Sequence, residues 1–169
     1  MQRNVKIING LASFISANKL SVRDNQNKKI IINFDYCIIA TGSSPTQLKN
    51  INKNHSRIIN STQALSLKEI PKKMLIIGGG YIGLELGTAY QSFGSKITVA
   101  EFSSTLLSMA DQDLVNPLSK ILNQKFDNIF LSTEVVNIEE KNNNVIATFK
   151  KNNEIFQDSF DIALISIGR

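Results

Sequence analysis

The residues best suited to chemistry in this chain are three glycines and one acid. The apolar run Lys73-Met74-Leu75-Ile76-Ile77 stops at Gly78-Gly79-Gly80-Tyr81-Ile82-Gly83, a G-x-G-x-x-G, and a helical pattern follows. A second apolar run, Ile97-Thr98-Val99-Ala100, then ends in Glu101, 18 residues beyond Gly83. In that order the pieces read as a dinucleotide site. Gly78 permits the tight turn from strand to helix. Gly80 lets the backbone approach a pyrophosphate where a Cβ would collide, and Gly83 lets helix and sheet pack closely. The free N–H groups of the helix start, with Gly79, Tyr81 and Ile82 beside these glycines, face the phosphates together with the positive end of the helix dipole. Glu101 is placed to accept both ribose hydroxyls of the adenosine half. Its carboxylate would repel a 2′-phosphate, and Phe102-Ser103-Ser104-Thr105-Leu106-Leu107 offers no arginine to hold one. NAD is therefore expected rather than NADP.

The elements that must position these residues predict an α/β fold. From Lys73 onward the order is strand, helix, strand. A helix over Tyr81–Phe93 would bury Ile82, Leu86, Ala89 or Tyr90, and Phe93, with Gly94 after its end. Acids Asp111 and Asp113 suit a helix start, but Pro117 is tolerated only in a first turn, which moves the expected start toward Val115-Asn116. Ile129–Leu131, Val135–Ile138, Val145–Phe149 and Ile155-Phe156 predict an antiparallel meander. Phe160–Ile167 reads as a buried closing strand ending in Gly168-Arg169.

Ahead of this, turn residues between β-branched runs predict another meander from Val5–Ile8, Ser13–Ile15, Leu20–Val22 and Ile30–Phe34. Tyr36–Ala40 reads as a strand buried on both faces, ending in the loop Thr41-Gly42-Ser43-Ser44-Pro45. Residues 46–71 look irregular, apart from a short helix capped by Ser61. A boundary is expected near Ile70–Lys72, with residues 1–71 and 72–169 as separate domains.

Composition narrows the alternatives. The chain has 169 residues and a formal charge of +5, but its basic residues are scattered and no aromatic residues interleave with them. Nucleic-acid binding is not expected. No segment reaches the roughly 20 apolar residues of a membrane span, and the N-terminus lacks a signal-peptide core. A cytoplasmic setting fits. The single cysteine, Cys37, reads as a buried small hydrophobe and His55 as a surface histidine. No metal site is expected.

Gly78–Tyr90, Glu101-Phe102, Met109–Asp113 and Ile165–Arg169 resemble the flavin-dependent pyridine nucleotide-disulfide oxidoreductases, and within them the dihydrolipoyl dehydrogenase branch. Val5–Phe14, Ile38–Pro45 and Ser61–Leu65 carry the same likeness. The resemblance implies the end of an FAD-binding domain followed by a Rossmann-like NAD-binding domain, in which a parallel sheet carries an antiparallel meander. It implies FAD and NAD as cofactors. It places Val135, Ser166 and Gly168 against NAD, and Ala12, Ala40, Thr41, Gly42 and Ser43 against FAD. Glu85 would lie near the reactive edge of the flavin, and Tyr81 corresponds to a gating aromatic of glutathione reductases. Implied partners are the lipoyl domains of 2-oxo acid dehydrogenase complexes and a second subunit in a homodimer. The family's FAD glycine motif, its C-x-x-x-x-C redox pair and its His–Glu base find no counterpart here. No catalytic residue is therefore expected in these residues, and the 169 residues alone are expected to be inactive.

Two other readings stay open. One is a related NAD(P)H-dependent flavoprotein reductase acting on glutathione, mercury or oxygen, which Tyr81 favours. The other is a non-catalytic NAD-binding module.

Overall fold

The computed structural model describes residues 3–46, 48 and 55–169; part of the stretch 46–71 expected to be irregular lies outside them. The chain forms two compact units, Met1–Gly42 and Ser43–Arg169.

The first unit is a three-stranded antiparallel meander: β1 (Leu11–Ser16), β2 (Lys19–Arg23) and β3 (Lys29–Asn33), with β2 in the middle. Asp24 closes the turn between β2 and β3 by accepting the amide hydrogens of Gln26 and Lys28. Two expected strands do not form. Val5–Ile8 is coil. Tyr36–Ala40, which reads as a doubly buried strand, pairs with nothing among the described residues and is exposed, Cys37 included. An apolar run becomes a buried strand only when neighbours complete its hydrogen bonds and cover both faces, and no described strand does so here.

The second unit is built on a five-stranded sheet in the order β4-β11-β5-β6-β7, with every neighbouring pair parallel. Its strands are β4 (Ile58–Asn60), β5 (Lys73–Ile77), β6 (Lys96–Ala100), β7 (Asn128–Phe130) and β11 (Ile162–Ile165). Three helices, α1 (Ser61–Ala64), α2 (Tyr81–Ser92) and α3 (Gln112–Lys125), connect them, and β8 (Glu134–Lys141), β9 (Asn144–Lys151) and β10 (Glu154–Phe160) form a separate antiparallel meander. Residues 58–60, expected to be irregular, thus add a strand to the sheet that β5 belongs to, and the short helix expected after them forms as α1. Ile129-Phe130 pairs in parallel with β6 rather than joining the meander.

The continuous apolar character of β5 follows from burial on both faces. Met74 and Ile76 pack with Leu84 and Tyr90 of α2 and Val115 and Leu122 of α3. Leu75 and Ile77 face the other way, onto Val145, Phe149 and Phe160 of the meander. Phe130, Phe149, Phe156 and Phe160 contact one another there, ring to ring. The meander's hairpins turn on Asn142-Asn143 and Asn152-Asn153, all four with positive φ, as two-residue turns matching strand twist require.

Three local details depart from expectation. The buried face of α2 is Gly83, Leu84, Gly87 and Tyr90, while Phe93 is exposed. Gly83 and Gly87 let that face lie close to the sheet: a Cβ on Gly87 would come within 2.6 Å of Ile76 Cδ1. The cap of α1 is Asn60 instead of Ser61, in a reciprocal capping box with Gln63. α3 begins at Gln112 and carries Pro117 inside it. The carbonyl that Pro117 leaves without an amide is that of Asp113, an exposed residue in the first turn.

Candidate functional site

The carboxyl ends of the parallel strands meet at one rim. β5 ends at Ile77, where Gly78 turns the chain with φ +105 and donates its N–H to Ala100 O. A Cβ on Gly78 would sit 2.5 Å from Ser166 O. Gly83 lies beneath the turn, and a Cβ there would meet Gly78 O and Ser166 Oγ, both at 2.5 Å. These two glycines are demanded by the protein itself. Ser166 fills the space that Gly83 leaves, donating its hydroxyl toward Ile77 O (3.0 Å) or Gly78 O (3.1 Å).

Gly80 differs. It is the N-cap of α2 with φ −79, an ordinary conformation, and a Cβ on it would meet nothing within 4 Å. The first turn of α2 leaves the amide hydrogens of Gly80, Tyr81, Ile82 and Gly83 without a partner among the described residues, as helix starts do. Gly80, Tyr81 and Ile82 line an open groove of about 880 Å³ along the rim.

Glu101 stands at the end of β6. One carboxylate oxygen accepts the Gly79 N–H and the other accepts Ser103 N–H at 2.6 Å. An ionised carboxylate has about four acceptor positions, so about two remain for a ligand's hydroxyls. Glu101 faces the same groove, and Leu107 N–H, bonded to Gly79 O at 3.0 Å, ties the following loop to the glycine turn.

Most of the expected set is brought together here. Gly78, Gly79, Gly80, Tyr81, Ile82, Glu101, Val135, Ser166 and Gly168 all line the groove. Gly83 supports it from below. Tyr81 is 65% exposed at its edge. Glu85, one turn further along α2, is exposed and outside the lining. Ala12 lies on β1 opposite Val22. Ala40, Thr41 and Gly42 are exposed coil. Ser43 is engaged by Arg169, whose Nε donates to its hydroxyl (2.9 Å) and whose guanidinium donates to its carbonyl (2.7 Å). Beside that clip Thr46 N–H bonds Gly168 O.

Sequence reasoning missed several lining residues, among them Pro45, Ser61, Phe102, Met109 and Thr133. Apolar loop residues carry no spacing signal, and Ser61 was assigned a capping role that Asn60 performs. His55, expected at the surface, is instead partly buried, with Nδ1 3.7 Å from Glu140 on β8. Glu140 also accepts Ser56 Oγ (2.7 Å) and the amides of Ser56 and Arg57. Foremost through the Ser56 hydroxyl, these hold its carboxyl below the ordinary glutamate range, against a smaller opposing effect of burial. Among the described residues, no group of three or more His, Cys, Asp or Glu side chains is arranged to hold a metal, and no helix is long and apolar enough to cross a membrane.

A parallel sheet whose central strand turns through glycines into a helix at the carboxyl rim defines the Rossmann-like class of α/β domains. Residues 1–169 match the family described as pyridine nucleotide-disulphide oxidoreductase, and the chain belongs to that family. The family's cofactors are FAD and NAD(H). The chain is similar to the dihydrolipoyl dehydrogenase of Vibrio parahaemolyticus, 39% identical over 168 residues, which are 99% of this chain and 35% of the relative. It is likewise 39% identical over 167 residues to that of Haemophilus influenzae, again 35% of the relative's length. Among solved structures, the Cu(II) complex of the HOCl-induced flavoprotein disulfide reductase RclA from Escherichia coli superposes with a TM-score of 0.83 at 31% identity, covering 98% of this chain and 37% of that one. The chain thus spans about a third of the length of these relatives.

Proposed function

We propose that this chain is the pyridine-nucleotide-binding part of a dihydrolipoyl dehydrogenase, an enzyme that takes electrons from dihydrolipoamide through a disulfide and FAD to NAD. Residues 72–169 hold NAD; residues 1–71 serve the FAD side and the connection. The lipoyl domains of 2-oxo acid dehydrogenase complexes are the partners, and the complete enzyme is a homodimer. Hydride transfer between flavin and nicotinamide is the chemistry that the bound cofactors would supply.

The observation that carries this reading is the empty space before Gly80. Neither its backbone angles nor any neighbouring protein atom requires glycine. A phosphate approaching the main chain does. The amides of Gly80, Tyr81 and Ile82 bind and orient the diphosphate. Glu101, held by the Gly79 and Ser103 amides, receives the adenosine ribose and rejects a 2′-phosphate by charge. Tyr81 covers the groove mouth. No group in the chain is assigned a proton-transfer role, and the 169 residues alone are expected not to turn over lipoamide.

Titration calorimetry tests the nucleotide assignment. NAD⁺ should bind at least tenfold more tightly than NADP⁺, the effect of roughly 1.4 kcal/mol of unfavourable charge. Equal affinities would remove the role given to Glu101. Lipoamide reduction by the isolated chain would contradict the division of labour. A related flavoprotein reductase with another electron acceptor is the second reading. It is favoured by the exposed aromatic Tyr81 and by the similarity to the disulfide reductase from Escherichia coli.

A further inference from the structure

Among the polar side chains that line the groove, Ser61 is the buried one that neither the fold nor the proposed site uses. Ser61 is 7% exposed and lines the groove. Among the described residues nothing hydrogen-bonds to its hydroxyl. The N-terminus of α1 does not need that hydroxyl, because the Asn60 side chain accepts Gln63 N–H and the Gln63 side chain answers to Asn60 N–H. A hydroxyl that the fold does not use is available to a ligand in the groove that Ser61 lines.

Its place along the rim identifies what it would meet. In the sheet order β4-β11-β5-β6-β7, Glu101 follows β6, the glycine turn follows β5, Ser166–Gly168 follow β11, and Ser61 follows β4. Neighbouring strands are about 4.8 Å apart. Ser61 therefore lies roughly two strand spacings, about 10 Å, from the diphosphate position, on the side away from Glu101. A dinucleotide gripped by its adenosine ribose at Glu101 and by its diphosphate at Gly80–Ile82 extends its other half along that path. We propose that the Ser61 hydroxyl hydrogen-bonds the nicotinamide riboside half of the bound nucleotide, at its ribose hydroxyls or its carboxamide. This rests on the nucleotide-binding reading above and adds to it a binding residue that lies on a different strand from the glycine motif.

The test compares three ligands on the full chain and on Ser61→Ala. ADP carries the adenosine half and diphosphate only, ADP-ribose adds the second ribose, and NAD⁺ adds the nicotinamide. Ser61→Ala should weaken NAD⁺ by roughly three- to tenfold, the loss of one hydrogen bond, and leave ADP unchanged. An equal loss for ADP-ribose assigns the contact to the ribose; a loss confined to NAD⁺ assigns it to the carboxamide. Unchanged NAD⁺ affinity, or a parallel loss for ADP, overturns the inference. In the unaltered chain, the Ser61 amide resonance should shift with NAD⁺ and not with ADP, a readout independent of how the variant folds; a shift of equal size with ADP also overturns it. If neither ADP nor NAD⁺ binds the unaltered chain, the nucleotide reading itself falls, and the inference with it.

Discussion

Met74-Leu75-Ile76-Ile77 and Tyr36-Cys37-Ile38-Ile39 are both four-residue apolar runs, each leading within a few residues to a glycine. In the second unit Met74, Leu75 and Ile76 are wholly buried. In the first unit Tyr36 is 94% and Ile38 91% exposed. Composition does not separate them; partners do. β5 has parallel neighbours on both edges, helices over one face and a meander over the other. The run from Tyr36 has none of these among the described residues. Apolar character makes a strand worth burying, and only complementary surface buries it.

The sharpest way to break this comparison is truncation on each side of it. Leu75→Ala should destabilise the second unit by about 2–5 kcal/mol, whereas Ile38→Ala should stay within about 0.5 kcal/mol. Urea unfolding of the two variants measures both, and similar losses would erase the distinction between the runs.

A finer contrast lies within the glycine motif. Gly83→Ala forces a Cβ against the Gly78 carbonyl and should cost about 1–3 kcal/mol, with nucleotide affinity falling alongside. Gly80→Ala enters open space. It should lower the stability of α2 by less than about 1 kcal/mol, yet still weaken NAD⁺. Thermal melts paired with calorimetry separate the two glycines, and a large stability loss at Gly80 would mean that protein packing, not a ligand, requires it.

The smallest expected effect concerns the tether at Glu140. Its folded-state pKa lies below the ordinary value of 4.5, so its stabilisation is present above that value. It disappears as pH falls through the lowered one. Melting temperature followed through the acid range should show a decline that Glu140→Gln makes shallower. The same decline in the variant would exclude the tether as its source.

Much of the groove was legible. The glycine spacing and the acid at Glu101 identified both ends of the crossing, because turn geometry, close backbone approach and charge are local demands on residue type. On α2 the apolar periodicity was carried one turn too far: Gly83, read as a packing glycine, faces the sheet and Tyr90 is buried, but Phe93 at the helix end is exposed. The place of Ile129-Phe130 in the parallel sheet had no local mark. The paired asparagines at 142-143 and 152-153 did carry one, as turn-forming doublets between β-branched runs.

Residue order by itself determined a strand, a glycine turn, a helix and a second strand ending in a carboxylate, since each depends on chemistry within a few neighbouring residues. Tertiary structure alone decided which apolar runs found cover, which glycine faces protein and which faces open space, and that Ser61, far from the motif in the chain, stands on the same rim. Those outcomes depend on which surfaces meet across long sequence separations, and no local pattern encodes a meeting of surfaces.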